Sequence, residues 1–160
     1  MTSEGHCASL IERYLCTRGR RFFRGRHDGE YFFVADTEPW RLYVHLEISP
    51  EHHDVLTIRI TPVCFFPAVD RPRLRHLADR WNTQNRQVIA IVHESTDPQR
   101  IGVTARRSQW MRNDVTLKDF GSFVDRIIAA AIDLFAELAT VAELPTELST
   151  TSPPLLRDAG

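Results

Sequence analysis

Hydrophobic and polar residues alternate along several short segments of this chain, and a period of two predicts strands with one buried face. The clearest case is RLYVHLEI, residues 41–48, where apolar positions share one face and mostly polar positions share the other. Apolar or alternating segments also occur at 20–24, 30–35 and 55–63, with turn-forming HDG, DTEP and SPEHHD between the four. The pattern predicts an antiparallel meander with one dry face and one mixed face.

Other segments place apolar residues three and four positions apart, which predicts amphipathic helices. The first helix covers residues 4–16. Asp70 is a candidate N-cap for the second, which carries the apolar positions Leu74, Leu77, Ala78 and Trp81. Two more strands, 87–94 and 100–107, follow as a hairpin joined by STDPQ.

The last helix is predicted to begin at Thr116, where Thr116 and Asp119 resemble a capping box. Along 117–138 the apolar residues cover an arc of roughly 200°, more than one sheet face buries. We therefore expect a second apolar surface, either another helix or a second subunit, and favour a homodimer. Candidates for this second surface are Phe123, Ile128, Ile132 and Phe135.

The predicted fold class is α+β, an antiparallel β-sheet with helices packed on it in the order α-β-β-β-β-α-β-β-α. The length of 160 residues, with 42% hydrophobic and 26% charged, suits one domain with a real core. We assign it to residues 1–144. Residues 145–160 are rich in Pro, Ser and Thr without periodicity, which predicts a disordered C-terminal tail.

A formal net charge of -1 gives no overall attraction to nucleic acid or anionic membranes. The longest apolar runs are far shorter than the ~20 residues of a membrane-spanning helix, and no signal-peptide pattern opens the chain. We expect a cytoplasmic protein without membrane association.

Chemical motifs are scarce. The three cysteines, Cys7, Cys16 and Cys64, show no CxxC spacing and are interpreted as buried small hydrophobic residues. The loop cluster 52–54, with two histidines and an aspartate, lacks the spacing of a helical metal site. Glycine-rich phosphate loops and nucleophile signatures are absent from the sequence. We expect no catalytic residues, no metal and no cofactor.

The segment TRGRRFFRGRHDG, residues 17–29, mixes arginines with Phe22 and Phe23. This composition suits phosphate contact plus base stacking, and it supports an alternative function as a nucleic-acid-associated regulator. Charge on an exposed edge hairpin also prevents unwanted strand pairing, and we prefer that interpretation.

The polar stretch LADRWNTQNRQ, residues 77–87, ends the second helix and precedes a strand. It is predicted to be a corner of the fold rather than a reactive site. Asn82 or Asn85 is expected to end the helix in the left-handed conformation, and the spare amides to satisfy backbone groups where the chain enters the sheet.

The chain resembles the YbjN-like family and its relatives, the class I type III secretion chaperones. The resemblance rests on the order of elements over about residues 4–140, on LYVHLEI and VLTIRI as central strands, on LRHLADRWNTQN followed by VIAIV, and on the closing segment VTLKDFGSFVDRIIAAAIDLFAEL. It implies a small α+β domain that is commonly dimeric and has no catalytic residues. The chaperone relatives hold partner chains in extended form along their surface.

Our leading hypothesis is a non-enzymatic chaperone-like or regulatory protein that binds a peptide or unfolded segment of a partner protein. A third, weaker hypothesis is a small hydrolase built around Cys64. The candidate partner-binding residues are Phe22, Phe23, Tyr31 and Phe33 near the first hairpin and Tyr43, His45, Thr57 and Arg59 on the mixed sheet face.

Overall fold

A seven-stranded antiparallel sheet is the scaffold of the protein in a computed structural model, which describes residues 3–141 and the side chains of residues 7–140. The helices are α1 (Ser3–Thr17), α2 (Arg71–Gln84) and α3 (Leu117–Val141), and a short 3-10 turn (Ala68–Asp70) precedes α2. The strands are β1 (Phe23–Arg24), β2 (Glu30–Ala35), β3 (Leu42–Ile48), β4 (Val55–Pro62), β5 (Phe66–Pro67), β6 (Ile89–Glu94) and β7 (Arg100–Trp110). The predicted tail, residues 145–160, lies outside the described residues.

The first four strands form the predicted meander, and β7 pairs with β4, so the order is β1-β2-β3-β4-β7-β5. Strand β6 pairs with β7 along its other side, as the predicted hairpin requires. This mixed α+β architecture confirms the predicted fold class. The two-residue strand β5 was not predicted, because PVCFFP contains no alternating pattern long enough to indicate a strand.

All three helices pack on one face of the sheet. In β3 the side chains at Leu42, Val44, Leu46 and Ile48 are buried beneath them, and the corresponding positions of β2, β4 and β7 are buried as well. The other face carries no helix among the described residues, and we call it the open face. The structure therefore has two layers, with the core between sheet and helices.

Helix α3 is enclosed by its own chain. Ile127, Leu134 and Phe135 are fully buried, and Phe123 and Ile128 are 8% and 6% exposed. Helices α1 and α2 flank α3, so they supply the second apolar surface that its wide apolar arc required. Of the two alternatives for the second surface, another helix of the same chain is therefore the one observed; Phe123, Ile128 and Phe135 are buried within this chain and their interpretation as a dimer surface is wrong for this fold, and Ile132 is partly buried.

The tie between α1 and α3 is polar as well as apolar. The Tyr14 hydroxyl donates a hydrogen bond of 2.7 Å to Asp125, and the Arg18 guanidinium contacts the same carboxylate at 2.6 Å. The Tyr14 ring also packs edge-on against Phe120, with centroids 6.1 Å apart. One aspartate thus fixes the position of α1 on α3.

The corner after α2 protects an edge of the sheet. The Asn82 amide donates to the Ala90 carbonyl at 3.0 Å and accepts from the Ala90 N–H at 2.8 Å, as a neighbouring strand would. The Trp81 indole N–H donates to the Val88 carbonyl at 3.1 Å. Because unpaired edge groups invite pairing with other chains, these side chains shield part of β6. The corner is structural, as predicted.

Three local expectations were wrong. Asn85 ends α2 in an extended conformation, and no non-glycine residue among those described has a positive φ. Asp70 makes no capping bond; its carboxylate pairs with Arg73 instead. Cys16 is exposed because it lies on the outer side of α1, whereas Cys7 is buried and Cys64 is partly buried.

None of the helices within residues 3–141 combines the length and the hydropathy that crossing a membrane demands.

We predict that Asn82→Ala lowers the free energy of unfolding by about 1–2 kcal/mol, because two backbone groups of Ala90 lose their partner. The matched control is Thr83→Ala, which removes only a hydroxyl bond to the Asp79 carbonyl on the same exposed helix surface and should cost less than about 0.5 kcal/mol. Urea denaturation measures both. Equal effects of the two substitutions would contradict the role of Asn82.

The environment of Asp125 indicates that the protein loses stability at acidic pH. Burial raises the pKa of its carboxyl, but hydrogen bonds from Arg18 and Tyr14 outweigh that effect and leave the pKa below its ordinary value. A carboxyl with a lowered folded pKa stabilises the fold above its unfolded pKa of about 3.9, and this contribution is lost as the pH falls through the folded pKa.

Accordingly, Asp125→Asn should lower the free energy of unfolding by about 1 kcal/mol at pH 7, and the difference from wild type should shrink below about pH 4. The control is Asp133→Asn, an exposed position on the same helix, with an expected change below about 0.5 kcal/mol at either pH. Chemical denaturation across this pH range is the measurement. A pH-independent effect would refute the assignment.

Candidate binding face

The open face of the sheet carries several large apolar side chains that are exposed. Phe23 is 70% exposed and Trp110 is 65% exposed. Most of the large hydrophobic residues that are exposed within the described chain lie on this face: Phe23, Phe32, Val34, Tyr43, Ile89, Ile91 and Trp110. Exposed apolar patches of this kind mark interaction sites in soluble proteins.

One row of side chains extends across the open face from β1 to β6. Residues that pair directly on neighbouring antiparallel strands point to the same side of a sheet. The pairing registers of six strands thereby place six residues side by side: Phe23, Phe32, His45, Arg59, Arg106 and Ile89. We call this set the cross-strand row. It is apolar at both ends and basic in the middle.

The middle of the row contains two arginines directly opposite each other. Arg59 on β4 pairs in register with Arg106 on β7, and like charges in this arrangement repel. Arg59 is partly neutralised by Glu47, whose carboxylate oxygen lies 3.3 Å from the guanidinium. The remaining positive charge makes this point of the open face attractive to a carboxylate.

The predicted binding residues divide by strand face. Phe23, Tyr43, His45 and Arg59 lie on the open face, together with Thr57, which is 8% exposed and bonded to Ser108 at 3.0 Å.

Tyr31 and Phe33 are buried on the helix side of β2, at 4% and 2% exposure, so their placement in an open groove was wrong. Strand alternation exposes their neighbours Phe32 and Val34 instead. The apolar run YFFV concealed this alternation, because every position in it is hydrophobic. Burial by α1 decides which positions turn inward. Phe22 lies at the rim, packed edge-on against Tyr31 with centroids 5.8 Å apart.

A groove does exist beside the first hairpin. Its walls come from the segment before β1, the end of β2 and the start of β3: Gly19, Arg20, Arg21, Phe22, Phe23, Val34, Asp36 and Arg41. Strand β1 pairs only with Tyr31 and Phe32, so residues 33–35 of β2 have no strand partner on that side. The groove therefore follows a stretch of incompletely paired sheet edge.

The arginines of the first hairpin are largely engaged within the fold. Arg18 contacts Asp125 at 2.6 Å, Arg24 contacts Glu12 at 3.0 Å, and Arg20 stacks over the ring of Phe33 at 5.0 Å. The Arg24 hydrogen bond and the Tyr31 hydroxyl lower the pKa of Glu12. These contacts favour the structural interpretation of the hairpin charge over phosphate binding.

A cluster of histidines and carboxylates lies on the open face beside the cross-strand row. His27 Nε2 is 2.9 Å from Glu47 and 4.0 Å from Glu30, and His45 Nε2 is 2.9 Å from the other oxygen of Glu30. Within the described residues, His27, Glu30 and Glu47 form a group that could hold a metal ion: one possible ligand atom from each lies within 4.8 Å of the other two. Sequence reasoning missed it, since the three residues come from a loop and two strands.

The cluster is strongly coupled electrostatically. The Glu47 hydrogen bond raises the pKa of His27. Burial raises the pKa of Glu47, but contacts with His27 and Arg59 leave it below its ordinary value. The pKa of Glu30 is likewise lowered overall, by the Arg26 backbone N–H and by His45 against the effect of burial. Both carboxylates are therefore ionised at neutral pH.

Cys64 is poorly suited to nucleophilic chemistry. Burial raises the pKa of its thiol to about 12, so almost none of it is the reactive thiolate at neutral pH. In the loop 52–54, His53 Nε2 lies 3.0 Å from the Pro50 carbonyl, a contact within its own turn.

Both the sequence and the fold of this chain are similar to those of known proteins. The YbjN family model, described as "Putative bacterial sensory transduction regulator", matches residues 8–140. The fold is similar to "Crystal structure of YbjN, a putative transcription regulator from E. coli", with 14% identity, a TM-score of 0.62, and coverage of 82% of this chain and 90% of that chain.

A structure titled "Crystal structure of an uncharacterized protein from Methanothermobacter thermautotrophicus" shares 10% identity over 84% of this chain and 97% of that chain, with a TM-score of 0.48. A search of the curated proteins found no match. None of the matches described here names a type III secretion chaperone, so that relation stays a prediction.

The assignment of β2 faces can be tested with adjacent phenylalanines. Phe33→Ala should lower the free energy of unfolding by about 3–5 kcal/mol, because it opens a cavity in the core. Phe32→Ala should cost less than about 1 kcal/mol, because this ring is 40% exposed and stacks on His45 at the surface. Urea denaturation compares them, and the reverse order would disprove the assignment.

Proposed function

Since the chain belongs to the YbjN family, we propose that it is a non-enzymatic regulatory protein that binds an extended segment of a partner protein on its open face. The segment carries an acidic residue between two apolar residues. The observation that carries this proposal is the cross-strand row, which is apolar at Phe32 and Ile89 and basic at Arg59 and Arg106.

The dimensions of the row set the length of the segment. Four strand spacings separate Phe32 from Ile89, which is about 19 Å at about 4.8 Å each. An extended chain rises about 3.3 Å per residue, so about six residues span the distance. The acidic residue then lies near the middle of the segment, facing the two arginines.

Energetically, the apolar ends and the charged middle have different roles. Burying exposed side chains such as Phe32 and Ile89 provides affinity, at roughly 25 cal/mol per Å² of apolar surface. A carboxylate between Arg59 and Arg106 relieves their mutual repulsion and sets the register of the bound segment. The groove beside residues 33–35 offers a continuation in which backbone groups of the segment pair with the sheet edge.

This mode of binding suits either a regulator or a chaperone-like protein, because both hold a partner segment without chemical change. It also implies that self-association, if it occurs, uses a surface other than α3. If a second copy is the partner, the open faces or the β2 edge are the surfaces that meet, since α3 is covered.

A display library of random 12-residue peptides, selected on the immobilised wild-type protein, tests the proposal. We expect enriched peptides with an aspartate or glutamate that has an apolar residue about four positions away on one side and about two on the other, because alternate residues of an extended chain face the sheet. Arg106→Glu should weaken binding of a selected peptide at least tenfold, about 1.4 kcal/mol, because a carboxylate would then face the acidic residue.

The matched control is Arg75→Glu, the same charge change on an exposed position of α2 in the opposite layer. It should leave peptide affinity within twofold. Enrichment of basic peptides, or equal losses in the two variants, would contradict the proposal. If the protein is a dimer, its dissociation into monomers on peptide addition would instead identify a second copy as the occupant of the open face.

A further inference from the structure

We propose that His27, Glu30 and Glu47 form a binding site for a divalent transition-metal ion such as Zn²⁺. The ligand atoms are His27 Nε2, Glu30 Oε1 and Glu47 Oε2, which all lie within 4.8 Å of one another. This site is separate from the partner-binding role proposed above and stands without it.

The hydrogen bonds of His27 are the first argument. Its Nδ1 lies 2.8 Å from the Asp28 carbonyl, which only accepts, so Nδ1 carries a hydrogen. In a neutral ring Nε2 is then an acceptor, and it faces the Glu47 carboxylate, another acceptor, at 2.9 Å. Two acceptors at this distance need a positive charge between them, either a second proton or a metal ion.

The second argument is that each ligand is held in place through its other polar atom, although Glu30 Oε1 also accepts a hydrogen bond of 2.8 Å from the Arg26 backbone N–H. Arg59 contacts Glu47 Oε1 at 3.3 Å and leaves Oε2 for the ion. His45 contacts Glu30 Oε2 at 2.9 Å, and its Nδ1 faces Arg59 at 3.4 Å, so His45 donates to Glu30 from Nε2. Such outer contacts orient the ligands of metal sites in general.

The third argument is a glycine. A Cβ at Gly25 would collide with the carboxylate of Glu30, including Oε1. The Gly25 N–H also bonds to the Glu30 backbone carbonyl at 2.7 Å. The loop after β1 therefore makes room for this carboxylate to turn toward His27, and a larger residue would close the site.

The geometry suits a borderline ion. Two ligand atoms bonded to one ion at about 2.0–2.1 Å in a tetrahedral arrangement are about 3.3 Å apart. Glu30 Oε1 lies 4.0 Å from His27 Nε2. A shift of the Glu30 carboxylate by about 1 Å therefore allows both atoms to bind the same ion. One imidazole and two carboxylates favour Zn²⁺ or Mn²⁺ over Mg²⁺, which prefers oxygen ligands and retains its water.

Isothermal titration calorimetry of the tag-free, full-length protein with ZnCl2, MnCl2 and MgCl2 tests the proposal. Wild type should bind one Zn²⁺ per chain, and saturating Zn²⁺ should raise the melting temperature. His27→Asn and Glu47→Gln should each weaken Zn²⁺ binding at least tenfold. Circular dichroism spectra and melting temperatures without metal establish that the variants are folded.

The matched control replaces the loop histidines, His52→Asn with His53→Asn, and should retain wild-type affinity. Gly25→Ala keeps every donor atom and should also weaken binding at least tenfold, because its Cβ displaces the Glu30 carboxylate. Absence of stoichiometric Zn²⁺ binding to wild type would overturn the proposal and leave a proton as the bridging charge. Unchanged binding by His27→Asn and Glu47→Gln together would place the ion elsewhere.

Discussion

The burial of α3 determines the shape of this molecule. Its apolar arc is too wide for the sheet alone, so α1 and α2 must stand on either side of it to cover the remainder. All the helices are therefore collected on one face of the sheet. The chain has no helix left among the described elements for the opposite face, and the open face with its exposed aromatic residues is a consequence of this packing.

The charges of the open face are balanced locally. Glu30 and Glu47 stand beside His27, His45 and Arg59, so charged groups interrupt the apolar surface between Phe32 and Ile89. The two edges of the sheet differ in how their backbone groups are covered. The Asn82 amide covers Ala90 on β6, whereas residues 33–35 on the outer side of β2 lack a paired strand. The less protected edge and the apolar end of the row are thus neighbours.

Periodicity predicted most of the fold because the helices and long strands bury one side each. The meander, the β6–β7 hairpin and the start of α3 at Thr116 followed from residue patterns that local geometry dictates; the Asp119 N–H does donate to the Thr116 hydroxyl at 3.1 Å. The sequence predicts which side chains face the core in β3, where polar and apolar residues alternate. The same prediction failed in β2, where all four residues of YFFV are apolar. Which of two adjacent apolar side chains in β2 points into the core depends on packing against α1, an element outside the strand itself.

The candidate sites depend even more on distant pairing. Arg59 and Arg106 meet because β7 pairs with β4, from which β5, α2 and β6 separate it along the chain, and no local pattern encodes that register. The same holds for the cluster of His27, Glu30 and Glu47. Pairing also couples the two sites, since His45 and Arg59 belong to the cross-strand row and each contacts a carboxylate of the cluster.

A cation held by both carboxylates would compete with Arg59 for the charge of Glu47. The guanidinium would then be less neutralised, and its attraction for an acidic partner residue would increase. Conversely, a bound acidic segment that shares the charge of Arg59 would leave more of the negative charge of Glu47 to the ion, while Arg59 still orients Glu47 through Oε1. Because binding free energies are reciprocal, each ligand would strengthen the other by the same factor. Two residues of the cross-strand row, His45 and Arg59, each in contact with a carboxylate of the cluster, are sufficient for that coupling.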